Sequence, residues 1–368
     1  MRVLVVNSGS SSLKLRVLDA ADQVVAATDL PVSQGSFDLP ALADALGAMG
    51  TVDAVGHRIV HGGTQFRGPV RIDARVVEQV RALSDLAPLH QLRSLAAFDA
   101  TSAALPGVPA VACFDTAFHA AMPAGAATYA LPAEWRTRFE LRRYGFHGLS
   151  HAYAAGRAAA LLSRPVEQLR VVTCHLGAGA SLAAVDGGRS VDTTMGFTPL
   201  EGLVMATRTG SLDPGLVLWL VEHVGTPPAE LVATFEHRSG LLGLAGTSDM
   251  RAVLAGAEAH RPDAQLALDV YVHRLRAGIA AMTAAMGGLD ALVFTGGVGE
   301  NAPELRRLAV AGLGFLGAAL DPTANADARA DGQIGAAGSR VATLVVAARE
   351  DLEIARETRA VLAGDDGF

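Results

Sequence analysis

The chain has 368 residues, half of them apolar and 18% charged, with a net charge of −7. That length exceeds one simple core, so two domains are expected. No basic stripe or tail is present, which argues against nucleic acid or an anionic membrane as the main partner, while a local basic pocket for anions stays open.

Residues 1–6 are an apolar run that reads as a buried strand, and with Arg2 they do not resemble a signal peptide. The run enters Asn7-Ser8-Gly9-Ser10-Ser11-Ser12-Leu13-Lys14. Leu13, Leu15 and Val17 then alternate into a second strand. The turn combines a glycine, hydroxyl donors and a lysine, which suits an anion, and Asn7 offers an amide oxygen to a hydrated cation. An ordinary Ser/Gly hairpin is the plain alternative. The GxxxxGK[ST] spacing is missing, and no helix follows directly.

Residues 23–30 read as a third strand, 39–49 as a short helix and 52–60 as a strand running into Arg58-Ile59-Val60-His61-Gly62-Gly63. Helices are expected over 73–86 and, after Leu86-Ala87-Pro88-Leu89-His90, to about 104. A strand over 108–114 leads into Asp115. Tyr144-Gly145-Phe146-His147-Gly148 reads as an aromatic turn, with Ser150 capping a helix to about 162. A strong strand over 169–175 enters Gly177-Ala178-Gly179-Ala180-Ser181. Helices are expected over 214–224, 229–236, 249–255 and 265–286, the last being the longest. A strand over 289–294 enters Thr295-Gly296-Gly297-Val298-Gly299-Glu300-Asn301, read as a turn before a helix at Pro303. A last strand, 341–347, and a last helix, 351–363, close the chain. Cys113 and Cys174 sit in strand-like runs without CxxC spacing and are expected to be free thiols in a reducing compartment. No apolar run reaches spanning length, so a cytoplasmic protein is expected.

One internal echo bears on the fold. Asn7-x-Gly9, Ser12-Leu13 and Asp19 match His175-x-Gly177, Ser181-Leu182 and Asp186 with one insertion. Two copies of a strand–glycine-turn–strand unit suggest a duplicated α/β domain with a nucleotide cleft between the halves, against chance similarity of two hairpins. Three glycine turns after strands, at Gly9, Gly177/Gly179 and Gly296/Gly297/Gly299, favour a phosphate-rich ligand. Arg58 and Arg208 sit in loops or strand ends where a guanidinium clamps carboxylate or phosphoryl groups, although surface ion pairs are the common fate of arginine. Among the histidines at turns, His147 is the first choice for a site. Asp115 and Glu350 each end a strand, where a functional carboxylate and a helix cap are both open readings.

The runs VNSGSSSLK, GHRIVHGG, LAPLH, FDTAFH, YGFHGLSH, TCHLGAGAS, MGFTPLEG, TRTGSLDP, FTGGVGEN and LEIARET, in this order over nearly the full chain, resemble the acetate kinase family. The resemblance implies an actin-like, sugar-kinase-like duplicated α/β fold. It implies domains at about 1–148, completed by a C-terminal helix over about 352–368, and at 149–351. It also implies reversible ATP-dependent phosphorylation of acetate to acetyl phosphate, with Mg²⁺ (or Mn²⁺), by a homodimer that binds no nucleic acid or membrane. By resemblance, Asn7 and Glu350 are the metal-associated pair, and Ser10, Ser12 and Lys14 face phosphate. Asp115, His147 and Arg208 are the catalytic set. Arg58 holds the substrate carboxylate, and Val60, Leu89, Phe146 and Pro199 surround its methyl group. His175, Leu176, Gly177, Ala178 and Gly179, Asp249, Met250 and Arg251, and Gly297, Val298, Gly299, Glu300 and Asn301 are the nucleotide segments. The family's Asn between two glycines is Ala178 here, its NEE is Arg349-Glu350-Asp351, its HGTSH is His147-Gly148-Leu149-Ser150-His151, and the region between Leu18 and Val52 is short.

A carboxylate attacking an anionic phosphate needs charge cancellation and alignment more than a base, since its pKa is about 4. Direct in-line transfer is expected, with Asp115 orienting Arg or Mg²⁺. Propionate kinase stays open, because one methylene is worth only about 1–3 kcal/mol. An idle actin-like nucleotide-binding module is the remaining alternative.

Overall fold

The uninterrupted apolar run at the start of the chain becomes a strand covered on both faces, as such runs do. In the computed structural model, which describes residues 1–9, 12–32, 37–84, 88–329 and 331–364 (the side chains of 88–90 excepted), this is β1, Val3–Ser8. It is joined by β2 (Ser12–Leu18), β3 (Val24–Pro31), β4 (Ala54–Ile59), β5 (Val70–Arg71) and β6 (Ala110–Phe114) in the order β3-β2-β1-β4-β6-β5. Strands β1, β4 and β6 run parallel, and β2, β3 and β5 are antiparallel to their neighbours.

A second sheet repeats this plan strand for strand. It contains β7 (Arg170–Leu176), β8 (Ala180–Asp186), β9 (Arg189–Thr193), β10 (Ala291–Thr295), β11 (Gly332–Gln333) and β12 (Ala342–Val345). Its order, β11-β12-β10-β7-β8-β9, is that of the first sheet read from the other edge. The parallel strands β7, β10 and β12 stand where β1, β4 and β6 stand, with antiparallel pairs in matching places. The fold is therefore the duplicated α/β plan of the actin-like and sugar-kinase-like proteins.

The chain divides into two compact units. One comprises residues 1–121, 146–153 and 349–368, and the other 122–145 and 154–348. In the first, Leu4 and Val6 of β1 pack with Leu13, Leu15, Leu42 and Leu46 on one side of the sheet. Val3 and Val5 pack with Leu18, Val111, Cys113, Ile354 and Ala355 on the other. Each fully buried side chain of this kind contributes about 1.5–3 kcal/mol. The second cover is the helix Glu350–Ala363, and Gly56 of β4 lets it approach closely, because a Cβ there would meet Ile354 Cγ2 at 2.6 Å. In the second unit Pro262–Ala285, at 24 residues, is the longest helix.

Local structure departs from the sequence expectations at three places. The helix expected to be capped by Ser150 begins at Gly148, so Ser150 is a buried residue of its first turn. His147, in the left-handed region (φ 56°), makes the sharp entry that a serine cap would otherwise have made. The segment read as a turn after β10 is a six-residue helix, Gly296–Asn301, ahead of the helix Pro303–Ala311. The helix expected over 214–224 is α-helical only for Pro214–Trp219 and continues as a π-helix over Leu220–Val224.

Candidate active site

Strand register decides which polar residues share a face. Asn7 of β1 lies directly opposite Lys14 of β2, two residues beyond the Val5–Arg16 pair. Val5 pairs with Gly56 of β4, so Arg58, two residues on, stands on the same face. Arg58 in turn pairs with Cys113 of β6, and Asp115 follows two residues later. Lys14, Asn7, Arg58 and Asp115 thus form a row across the sheet at the carboxyl ends of its parallel strands, where open α/β sheets bind ligands. The helix that covers this face adds its first residue, Glu350.

The side chains close into one cluster. Arg58 donates from Nε to Asp115 Oδ1 at 3.0 Å and from Nη2 to Asp115 Oδ2 at 2.7 Å. Its Nη1 donates to Asn7 Oδ1 at 3.0 Å and to Glu350 Oε2 at 3.3 Å. Asn7 Nδ2 donates to the same Glu350 oxygen at 2.7 Å. Among the described residues, every N–H of the guanidinium but one on Nη2 is spent. The Asp115 side chain is 2% exposed and that of Arg58 11% exposed. Burial alone would weaken the Arg58 charge, but Asp115 and Glu350 outweigh it and hold the guanidinium firmly protonated. Burial pushes the Asp115 carboxyl above the ordinary range, and Arg58 opposes that rise.

Asp115 is fixed by backbone as well. His147 donates its N–H to the Asp115 carboxylate, and Gly148 N donates to the Asp115 carbonyl at 3.0 Å. A Cβ at position 148 would strike that carbonyl, so only glycine fits there. His147 is held in a strained conformation next to the cluster, as residues at functional sites often are. Phe146, 1% exposed, meets His61 edge-on with ring centres 5.5 Å apart, and its carbonyl lies 3.1 Å from His119 Nε2. Val60 is buried beside His61. Ser10 lies outside the described residues, as does the Leu89 side chain. Ser12 opens β2, where its carbonyl accepts from Gly9 N at 2.9 Å.

The segments expected by resemblance to hold nucleotide belong to the second unit. His175 of β7 pairs with Ser181 of β8 and with Thr295 of β10, so two glycine-rich segments leave adjacent parallel strands side by side. Gly177 N donates to Gly179 O at 2.9 Å, and Ala178 O accepts from Ala206 N at 3.1 Å. Gly296 (φ 79°) has no room for a Cβ, which would meet Leu176 O at 2.8 Å. Glu300 Oε1 accepts from Ala348 N at 2.9 Å, and Asn301 Nδ2 donates to Gly297 O at 2.9 Å. Asp249 caps the helix Met250–Glu258 through Arg251 N. Arg251 edges a groove of about 900 Å³ that Leu254, Leu268, Val272, Glu304 and Leu308 also line. Arg208 donates from Nη1 to the carbonyl of Pro199 at 3.2 Å, so these two residues meet.

Three buried residues that support the site escape a reading of the sequence. Gln91, fully buried, donates to the carbonyls of His61 (3.1 Å) and Val80 (3.3 Å). Thr116 Oγ1 accepts from Gly62 N at 2.9 Å, so both residues fix the loop after Arg58. Arg306, 1% exposed, donates from Nη1 to Gly299 O (2.8 Å) and Glu300 O (2.7 Å), and from Nε and Nη2 to Asn325. It clamps the last carbonyls of the helix Gly296–Asn301 without a carboxylate partner among the described residues.

A duplicated actin-like fold with an arginine–carboxylate cluster at one set of strand ends and glycine-rich segments at the other defines a phosphotransferase. The chain belongs to the acetokinase family, whose profile matches residues 39–356. It is 47% identical to the acetate kinase of Leifsonia xyli subsp. xyli over 98% of this chain and 99% of that protein. It is 45% identical to that of Deinococcus deserti over 100% and 99%. Among solved structures, Porphyromonas gingivalis acetate kinase superposes with a TM-score of 0.89 at 35% identity, covering 98% of this chain and 99% of the other. A propionate kinase from Francisella tularensis gives 0.90 at 35% identity with the same coverage.

Proposed function

We propose that this chain transfers the γ-phosphoryl group of ATP to acetate, reversibly, giving ADP and acetyl phosphate. The observation that carries this reading is similarity to acetate kinases over essentially the whole of both chains. The geometry of the first unit supplies the chemistry. Asp115 occupies the bidentate face of Arg58, so it acts as the orienting group, and the substrate carboxylate meets the remaining Nη2 N–H and the fixed positive charge. That charge cancels the repulsion between carboxylate and phosphate and aligns the attack. Val60 and Phe146 give the methyl group apolar walls, and His147 and Arg208 stabilise the migrating phosphoryl group. No base is needed, because the acceptor is already ionised. Lys14 and Ser12 face phosphate, and the segments around Gly177, Arg251 and Gly297 hold the nucleotide.

Asn7 Oδ1 and the Glu350 carboxylate are oxygen donors brought together by a 2.7 Å hydrogen bond, a set suited to Mg²⁺. Among the described residues no group of three or more His, Cys, Asp or Glu side chains could cage a metal. Two protein oxygens, with phosphate oxygens and water completing the shell, is the usual Mg²⁺ arrangement. When bound, the ion neutralises charge on the nucleotide phosphates.

Homodimerisation is part of the proposal. Leu212, Leu216, Leu218, Trp219, Val221 and Val224 are exposed on one continuous stretch of the second unit, an apolar surface of the kind that subunit contacts cover. No helix among the described residues is long and apolar enough to cross a membrane, and both cysteines are free and buried, which supports a reducing, cytoplasmic setting.

Hydroxylamine trapping of the acyl phosphate from ATP with acetate, propionate and butyrate tests the reaction and its acceptor. Acetate is expected to give the highest kcat/KM, and no hydroxamate from any of the three would overturn the proposal. Transfer from chiral γ-phosphate should invert configuration; retention would indicate a phosphoenzyme instead.

A further inference from the structure

Of the 30 Lys and Arg residues, only Lys14 is a lysine. Every other cationic position of the chain is an arginine, so the surface offers one side-chain amine. That amine is exposed, and its residue stands directly opposite Asn7. Directly opposed residues in an antiparallel pair share a face, with Cβ atoms about 4.5–5.5 Å apart. Asn7 is itself bonded to Arg58 and Glu350, so the lone amine adjoins the cluster where the acyl phosphate would be made.

An acyl phosphate is a mixed anhydride that acylates amines, whereas guanidinium groups are inert to it under the same conditions. We propose that Lys14 is a modification site for the enzyme's own product. This inference rests on the proposed reaction for the source of the acyl phosphate. The unprotonated ε-amine attacks the acyl carbon, an N–C amide bond forms, and the C–O bond to phosphorus breaks. Inorganic phosphate leaves, and the amine's proton passes to phosphate or water. The amide carries no charge and has lost the ammonium's donors, so the modified end of β2 holds nucleotide phosphate less well. Accumulated product thereby switches the enzyme off at one residue. With arginine everywhere else, the remaining surface is left unmarked, apart from the N-terminal amine.

The test adds acetyl phosphate as a reagent to the purified full-length chain, with and without ATP and Mg²⁺, and follows acetylation by peptide mass mapping beside residual activity. Lys14 is expected to acquire one acetyl group, and activity is expected to fall in proportion to the fraction modified. ATP with Mg²⁺ should slow acetylation of Lys14 several-fold while leaving the N-terminal amine, an internal control, unaffected. The variant Lys14→Arg, checked for folding by circular dichroism, should keep its own starting rate throughout the same exposure. Acetylation of the N-terminal amine with Lys14 untouched would overturn the proposal, and so would a Lys14-acetylated enzyme of unchanged rate. Because the acyl phosphate is supplied from outside, these outcomes are separate from a failure to form hydroxamate from ATP and acetate.

Discussion

Removing Arg58 leaves Asp115 and Glu350 facing each other without their cation. The Asp115 side chain is 2% exposed and accepts two guanidinium bonds at 2.7 and 3.0 Å. Breaking a buried pair by deleting one partner costs about 3–5 kcal/mol, and Arg58→Ala is expected to lose that much in urea unfolding at neutral pH. The sign with pH follows from the carboxyl. Burial already raises the Asp115 pKa in the folded protein, Glu350 adds to it, and without Arg58 the His147 N–H is left as the weaker opposing influence. The folded variant then holds a proton that the unfolded chain releases, so the deficit grows as pH rises from about 4 and shrinks as pH returns there. A double-mutant cycle isolates the cause. Asp115→Asn alone costs stability, because Arg58 loses its bidentate partner. In the Arg58→Ala background the same change removes a stranded charge and is expected to stabilise, a coupling of about 2 kcal/mol or more. Turnover of Arg58→Ala should drop about 100- to 1000-fold, the usual cost of losing a preorganised charge. An equal cost for Asp115→Asn in both backgrounds would refute the reasoning.

Three further outcomes follow from other parts of the molecule. Burial, with Glu353 adding to it, pushes the Glu357 carboxyl up to about 8; the folded protein therefore holds a proton there that the unfolded chain has lost, and stability falls with rising pH at no more than about 1.4 kcal/mol per unit between about pH 4.5 and pH 8. Glu357→Gln should flatten the Tm profile over that window, and a profile parallel to the parent's would count against it. Arg306→Met strands the carbonyls of Gly299 and Glu300, so KM for ATP should rise about tenfold or more with KM for acetate little changed; equal changes in both constants would argue for general unfolding instead. Trp219→Glu, at an exposed apolar position, should convert the proposed homodimer to a monomer in analytical ultracentrifugation, and an unchanged sedimentation coefficient would remove this surface from the proposed interface.

What could be read from the letters depended on range. The duplicated plan was visible because Asn7-x-Gly9 and His175-x-Gly177 are local patterns, and these strands do hold matching places in two identical sheets. Asp115 and Glu350 were ambiguous between site and cap. The Asp115 carboxylate lies on Arg58, 57 residues away in sequence, and Glu350 is the first residue of its helix. Pairing distant carboxylates with one guanidinium is a property of strand register, which no single strand encodes. The glycine-rich 296–301 segment failed for a related reason: its intrinsic helix propensity is poor, and the clamp by Arg306 comes from the next helix. Gln91 and Glu357 gave no warning, since a lone polar letter in a helix usually marks the wet face.

The helix Glu350–Ala363 covers a sheet whose first strand is made some 340 residues earlier, and this matters on the ribosome. The face formed by Val3, Val5 and Cys113 lacks its lid until the helix Glu350–Ala363 has emerged. At about 5–20 residues per second, that is tens of seconds during which a bare apolar face must be shielded by chaperones. The same delay withholds Glu350 from Asn7 and Arg58, so the polar cluster at the strand ends is the last part of this unit to be completed.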